Sequence, residues 1–137
     1  MKTELILKFE WRASHSLSRY EKEHPHLWEL RFAISGDPQK DGMIVDLVTV
    51  RTFVDALIAP LREIFLNHAS PLTGDEAQLN PTCETLSSYF LAQLDRKLLS
   101  ELRRGNPTIR FTWLEVAIFE IHGKEAGIEM GRVRRTL

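Results

Sequence analysis

From Leu5 onward every second residue is apolar: Leu5, Leu7, Phe9, Trp11 and Ala13 alternate with Lys8, Glu10, Arg12 and Ser14. A polar stretch runs from Ser16 to Glu23, and the alternation then resumes on even positions, with Trp28, Leu30, Phe32 and Ile34 separated by Glu29, Arg31 and Ser35. A period of two is that of a strand with one buried face. The start of the chain therefore predicts two strands joined by a polar loop. His15 continues the apolar face of the first strand, and His24 and His26 extend that of the second backwards.

The segment "SGDPQKDG" supplies Gly, Asp and Pro turn chemistry, and "MIVDL" is short enough for a returning strand. "VTVRTFVDALIAPLREIF" carries Val50, Val54, Leu57 and Leu61 at helical spacing, with Pro60 expected to kink or end it. A second helix is marked by Asn80 as N-cap, Pro81 at the first helical position and an apolar residue every fourth place from Leu86 to Leu102, until Gly105 stops it. "TIRFTWLEVAIFE" and "AGIEMGRVRR" close the chain as strands. The expected fold is α+β, with the order β-β-α-α-β-β and the helices on one face of a four-stranded antiparallel sheet.

At 137 residues, 43% hydrophobic and 27% charged, the chain fits a single domain, 1–137, with a sizeable core. No internal repeat, low-complexity tract or linker breaks it. The net charge of -1 and the scattered basic residues argue against nucleic acid or an anionic membrane as partner. Charges interrupt "MKTELILKFEWR", so no signal peptide or membrane span is expected there. The single cysteine, Cys83, excludes an intrachain disulfide and fits a reducing compartment, so a cytoplasmic location is expected.

If the first two strands form a hairpin, His15 ends one and His24 begins the other across the mouth of the loop. Residues two apart in a strand have Cα atoms about 6.5 to 7 Å apart with parallel side chains, so His24 and His26 can grip one ion while His15 reaches it from opposite. Three imidazoles with an open fourth position are the ligand set of catalytic zinc. A bare HxH pair is more often two surface histidines. The third histidine, in phase, points to a Zn2+ site.

The succession "ASHSL", "HPH", "DGMIVDL", "LREIFLN", "NPTCETL" and a late strand ending in Glu120 resembles the 6-pyruvoyltetrahydropterin synthase and 6-carboxytetrahydropterin synthase family along nearly the whole chain. The resemblance implies the tunnelling fold, in which oligomers, typically hexamers, form barrels with active sites at subunit interfaces. It implies His15, His24 and His26 as zinc ligands, with "HPH" where the family usually has HGH. Proline lacks a donor, so Pro25 should sit at an edge or bulge. "NPTCE" resembles the family's PTxE motif, which implies Thr82 and Cys83 at the pterin pocket, and Glu120 matches the glutamate that holds the pterin's guanidinium-like edge. A carboxylate suits that edge because two parallel N–H donors meet two oxygens. Asp46 falls in a matching segment, where a turn or capping role is the simpler one.

The departures concern acid–base chemistry. The family's catalytic cysteine has no counterpart, Tyr20 standing near its place, and Cys83 cannot be carried over to that role. The Asp-His pair that precedes "LN" is replaced by Arg62 and Glu63. "EKEHPH" instead places Glu21 three residues before His24, which resembles an ExxHGH subfamily where a glutamate replaces the thiol. Glu21 is thus the first candidate for a proton shuttle, with Glu23 as its neighbouring competitor and Glu63 and His68 in reserve.

These features imply a zinc-dependent pterin synthase or lyase acting on 7,8-dihydroneopterin triphosphate or a related dihydropterin. The resemblance leaves folate, queuosine or biopterin biosynthesis open as the pathway. The alternative is a catalytically silent paralogue that keeps zinc and pterin for regulation or assembly. A metal hydrolase on a reused scaffold is weaker, since no second motif supports it.

Overall fold

A computed structural model of the chain describes residues 2–17, 22–73, 80–122 and 128–137. Two long strands, β1 (Thr3–His15) and β2 (His24–Gly36), pair antiparallel with His15 opposite His24 and Ala13 opposite His26. β3 (Phe111–Ile121) pairs with β2, placing Glu120 opposite Trp28, and β4 (Ile128–Thr136) completes a sheet of order β1-β2-β3-β4. The inner face carries the odd residues of β1 and the even residues of β2 and β3. Trp11, Trp28, Leu30, Phe32, Ile34, Val116 and Ile118 are each at most 2% exposed there. Period-two patterning at the start of the chain has thus become one continuous apolar face.

Helix α1 (Leu47–Ile58) buries Val50, Val54 and Ile58. Ile58, rather than Leu57, completes its apolar stripe, and Pro60 ends the helix in a 3-10 turn over Ala59–Leu61. A further 3-10 turn at Leu66–His68 and the short α2 (Ser70–Thr73) follow. The second long helical run comprises α3 (Cys83–Gln93), a π turn (Leu94–Leu98) and α4 (Leu99–Gly105). Leu86, Phe90, Leu94, Leu98 and Leu102 are all buried along it. Among the described residues no helix is long and apolar enough to cross a membrane.

Two local expectations are corrected. "MIVDL" forms no strand: the Gln39 N–H donates to the Met43 carbonyl at 2.9 Å, and Asp46 caps α1 only three residues later. Ile44 and Val45 are buried between that turn and the cap, too few residues to build a ladder. The N-cap of α3 is Thr82, not Asn80, because its hydroxyl accepts from the Thr85 N–H at 3.1 Å. Pro81 therefore stands outside the helix, and its carbonyl is available to other partners.

Candidate metal and substrate site

Three strand ends and one helix start meet at the same corner of the sheet. β1 delivers His15 and β2 delivers His24 and His26, all on the face that buries Trp28. β3 delivers Glu120 next to them, because its pairing with Trp28 continues the same phase. The ring centroids of His15 lie 4.7 Å from His24 and 5.0 Å from His26, and those of His24 and His26 are 4.6 Å apart. The ligand atoms of His15, His24, His26 and Glu120 all fall within 4.8 Å of one another. Pro25 meets the edge condition: β3 pairs with β2 only from Leu27, and the Ser14 N–H opposite it donates to Ile64 instead.

Hydrogen bonds at the rear of the rings decide what their front nitrogens can do. His15 Nδ1–H donates to the Pro81 carbonyl at 3.1 Å, and His24 Nδ1–H donates to the Lys22 carbonyl at 2.8 Å. A carbonyl only accepts, so each Nδ1 carries the proton and a neutral ring presents a lone pair at Nε2. Carbonyl partners of this kind orient the imidazoles of metal sites. His15 Nε2 lies 3.2 Å from Glu120 Oε1, and His26 Nε2 lies 2.8 Å from it. A neutral His15 ring sets its Nε2 lone pair against the carboxylate at that separation, and a proton or a metal cation between them makes the contact attractive. Ligands of a tetrahedral zinc with bonds of about 2.0–2.1 Å are themselves about 3.3 Å apart. The three imidazoles, with ligand atoms within 4.8 Å of one another, therefore fit a zinc ion with Glu120 beside it.

Glu120 is only 2% exposed, buried deeper than a strand-end surface charge would be. Thr82 and Cys83 lie at the start of α3, beside the Pro81 carbonyl that holds His15. The Thr82 hydroxyl is engaged with Thr85. Cys83 is buried, and its thiol is pushed up to about 11, first by that burial and then by the negative charges of Glu120 and Glu84. It is not a thiolate at neutral pH.

The reserve acid–base candidates stand outside this group. Glu63 is exposed, with a left-handed φ of 57°, and its N–H donates to the Arg12 carbonyl at 2.6 Å. His68 is exposed, with its ring centroid 5.0 Å from that of Phe65. Glu23 is exposed beside His24. Glu21 and Tyr20 lie outside the described residues.

Two contributors escaped the sequence reasoning. His122 follows Glu120 in phase just past the end of β3, so its signal was the same parity that marked Glu120; its ring centroid lies 4.5 Å from that of His26. Asn67 exchanges two hydrogen bonds with Ser16, accepting from its N–H at 2.9 Å and donating to its carbonyl at 2.7 Å. It thereby fixes the chain immediately after His15.

The sequence of residues 4–129 matches the family described as 6-pyruvoyl tetrahydropterin synthase. The chain belongs to the 6-pyruvoyl tetrahydropterin synthase family. Solved structures of that synthase share the fold. The Plasmodium vivax protein has a TM-score of 0.77 at 17% identity, over 100% of this chain and 99% of its own. The Plasmodium falciparum protein gives 0.76 at 13%, over 99% of both chains, and the Caenorhabditis elegans protein 0.58 at 13%, over 97% and 96%. No curated protein matches the chain in sequence. The four-stranded antiparallel sheet with its helices is the tunnelling fold of this family.

Proposed function

We propose that the chain is a zinc-dependent pterin synthase or lyase acting on 7,8-dihydroneopterin triphosphate or a related dihydropterin. The observation that carries this reading is the convergence of His15, His24, His26 and Glu120, with two of the rings turned by backbone carbonyls so that Nε2 faces inward. A zinc ion bound there would supply Lewis-acid polarisation of the substrate's side-chain hydroxyls. Glu120 would accept from the paired N–H donors of the pterin ring, in a setting where burial makes each such bond stronger than in water. Thr82 and Cys83 would contribute groups of the first helical turn to the same pocket.

Proton transfer is assigned to a glutamate, with Glu21 first and Glu63 and His68 as reserves. Support comes from a Plasmodium vivax relative in which a glutamate, described as a catalytic residue, has been replaced by cysteine or alanine. Glu63 and His68 are exposed, so they would serve a site completed by a neighbouring copy, in a homo-oligomer of hexameric type.

One feature favours the silent paralogue: the family's catalytic cysteine has no counterpart, and Arg62 and Glu63 stand in place of its Asp-His pair. Incubating zinc-loaded protein with 7,8-dihydroneopterin triphosphate and identifying the pterins by mass separates the two. A new pterin is expected. Unchanged substrate that nevertheless binds would favour the silent paralogue, and no binding of any dihydropterin would remove both.

A further inference from the structure

Beyond the histidine triad the same corner holds a second convergent group. Glu120 lies opposite Glu129 across β3 and β4, and His122 follows just past the end of β3. The ligand atoms of Glu120, His122 and Glu129 all lie within 4.8 Å of one another. His122 Nε2 is 3.3 Å from Glu120 Oε1 and 4.0 Å from Glu129 Oε1. That nitrogen is shielded from solvent, yet it makes no hydrogen bond among the described residues. A neutral imidazole whose shielded nitrogen has no hydrogen bond of proper geometry to either carboxylate is left unsatisfied as it stands. Two carboxylates converging on one point add their own repulsion.

A bound cation relieves both costs. A divalent cation accepts the imidazole lone pair and neutralises the two carboxylates, and a mixed imidazole and carboxylate set suits a first-row metal such as zinc, manganese or iron. We propose that Glu120, His122 and Glu129 form a second divalent-cation position, adjacent to the histidine triad and sharing Glu120 with it. Glu129 is 67% exposed and can rotate away, so this position is the weaker of the two and fills second. Its occupation holds Glu120 on metal and withdraws that carboxylate from a pterin. The second position therefore acts on the first through one shared side chain. It rests on the proposed function only through that sharing, and the two fail separately.

The test is equilibrium dialysis of the full chain against Zn2+, with bound metal counted by elemental analysis, in wild type and in the His122→Ala, Glu129→Gln and His24→Ala proteins. Wild type is expected to take up a tight equivalent and then a weaker one. His122→Ala and Glu129→Gln keep the tight equivalent and weaken the other by about tenfold or more. Retention of the tight equivalent also reports that these variants have folded, and Glu129, exposed on β4, tolerates glutamine without repacking. His24→Ala loses the tight equivalent, which concerns the triad alone. Saturation of wild type at a single equivalent would overturn the proposal, as would a second equivalent that persists unchanged in both His122→Ala and Glu129→Gln.

Discussion

Asn67 shows how much a single side chain can decide. Its amide bonds both backbone groups of Ser16, and it is only 2% exposed. Replacing it by alanine strands two partly buried backbone groups, at about 1–3 kcal/mol for each. Asn67→Ala should therefore lower the urea midpoint markedly, and Asn67→Asp should not restore it, because a carboxylate cannot donate to the Ser16 carbonyl. A midpoint equal to wild type in Asn67→Ala would show that Ser16 is satisfied by solvent instead. The histidines were legible in the sequence because strand parity is a property of neighbours, and Glu120 was legible through parity together with the family resemblance. Asn67 was not, since its partner is 51 positions away and no local pattern joins them.

At the scale of elements, the second helical run resolves a conflict between sequence and geometry. An apolar residue at every fourth place drifts by about 40° per step on a helix of 3.6 residues per turn. From Leu86 to Leu102 the stripe would leave the sheet, yet all five residues are buried. The π turn at Leu94–Leu98 takes up the drift by a wider turn. The start of the same run is set by close approach to β4. A Cβ added at Gly131 would lie 2.4 Å from both the Cys83 carbonyl carbon and the Glu84 nitrogen. Gly131→Ala should push the first turn of α3 outward at about 1–3 kcal/mol, loosening the Pro81 carbonyl from His15 and weakening zinc. Gly105→Ala is the control, since nothing lies within 4 Å of its added Cβ. Chemical denaturation together with a chelator competition assay reads both effects. If the two variants behave alike, the close approach at Gly131 has no bearing on the site.

For the whole molecule the open question is what covers the sheet's two outer strands. The edge of β1 is covered near His15, where the Ser14 N–H donates to the Ile64 carbonyl and the Glu63 N–H donates back to the Arg12 carbonyl. Among the described residues, the earlier part of β1 and the outer side of β4 have no neighbouring strand in the sheet order. Ile6 on β1 is 55% exposed and Met130 on β4 is 48% exposed. Open edges with apolar side chains favour pairing between copies, and four strands are too few to close a barrel alone. A symmetric oligomer, expected to be a hexamer, should appear in light scattering at micromolar concentration. A monomer there would also remove Glu63 and His68 from any shared site.

The sequence by itself determined which side chains share a face. Period two in the strands placed His15, His24, His26 and Glu120 with the buried residues, because parity depends only on neighbours along the chain. Tertiary structure alone decided their distances. Glu120 reaches the histidines because β3 pairs with β2 in one register, 105 positions from His15. The Pro81 carbonyl fixes the His15 tautomer because α3 starts two residues later than its proline suggested, at Cys83. Those choices follow from long-range pairing and packing, whose free energy is realised only after distant segments have met.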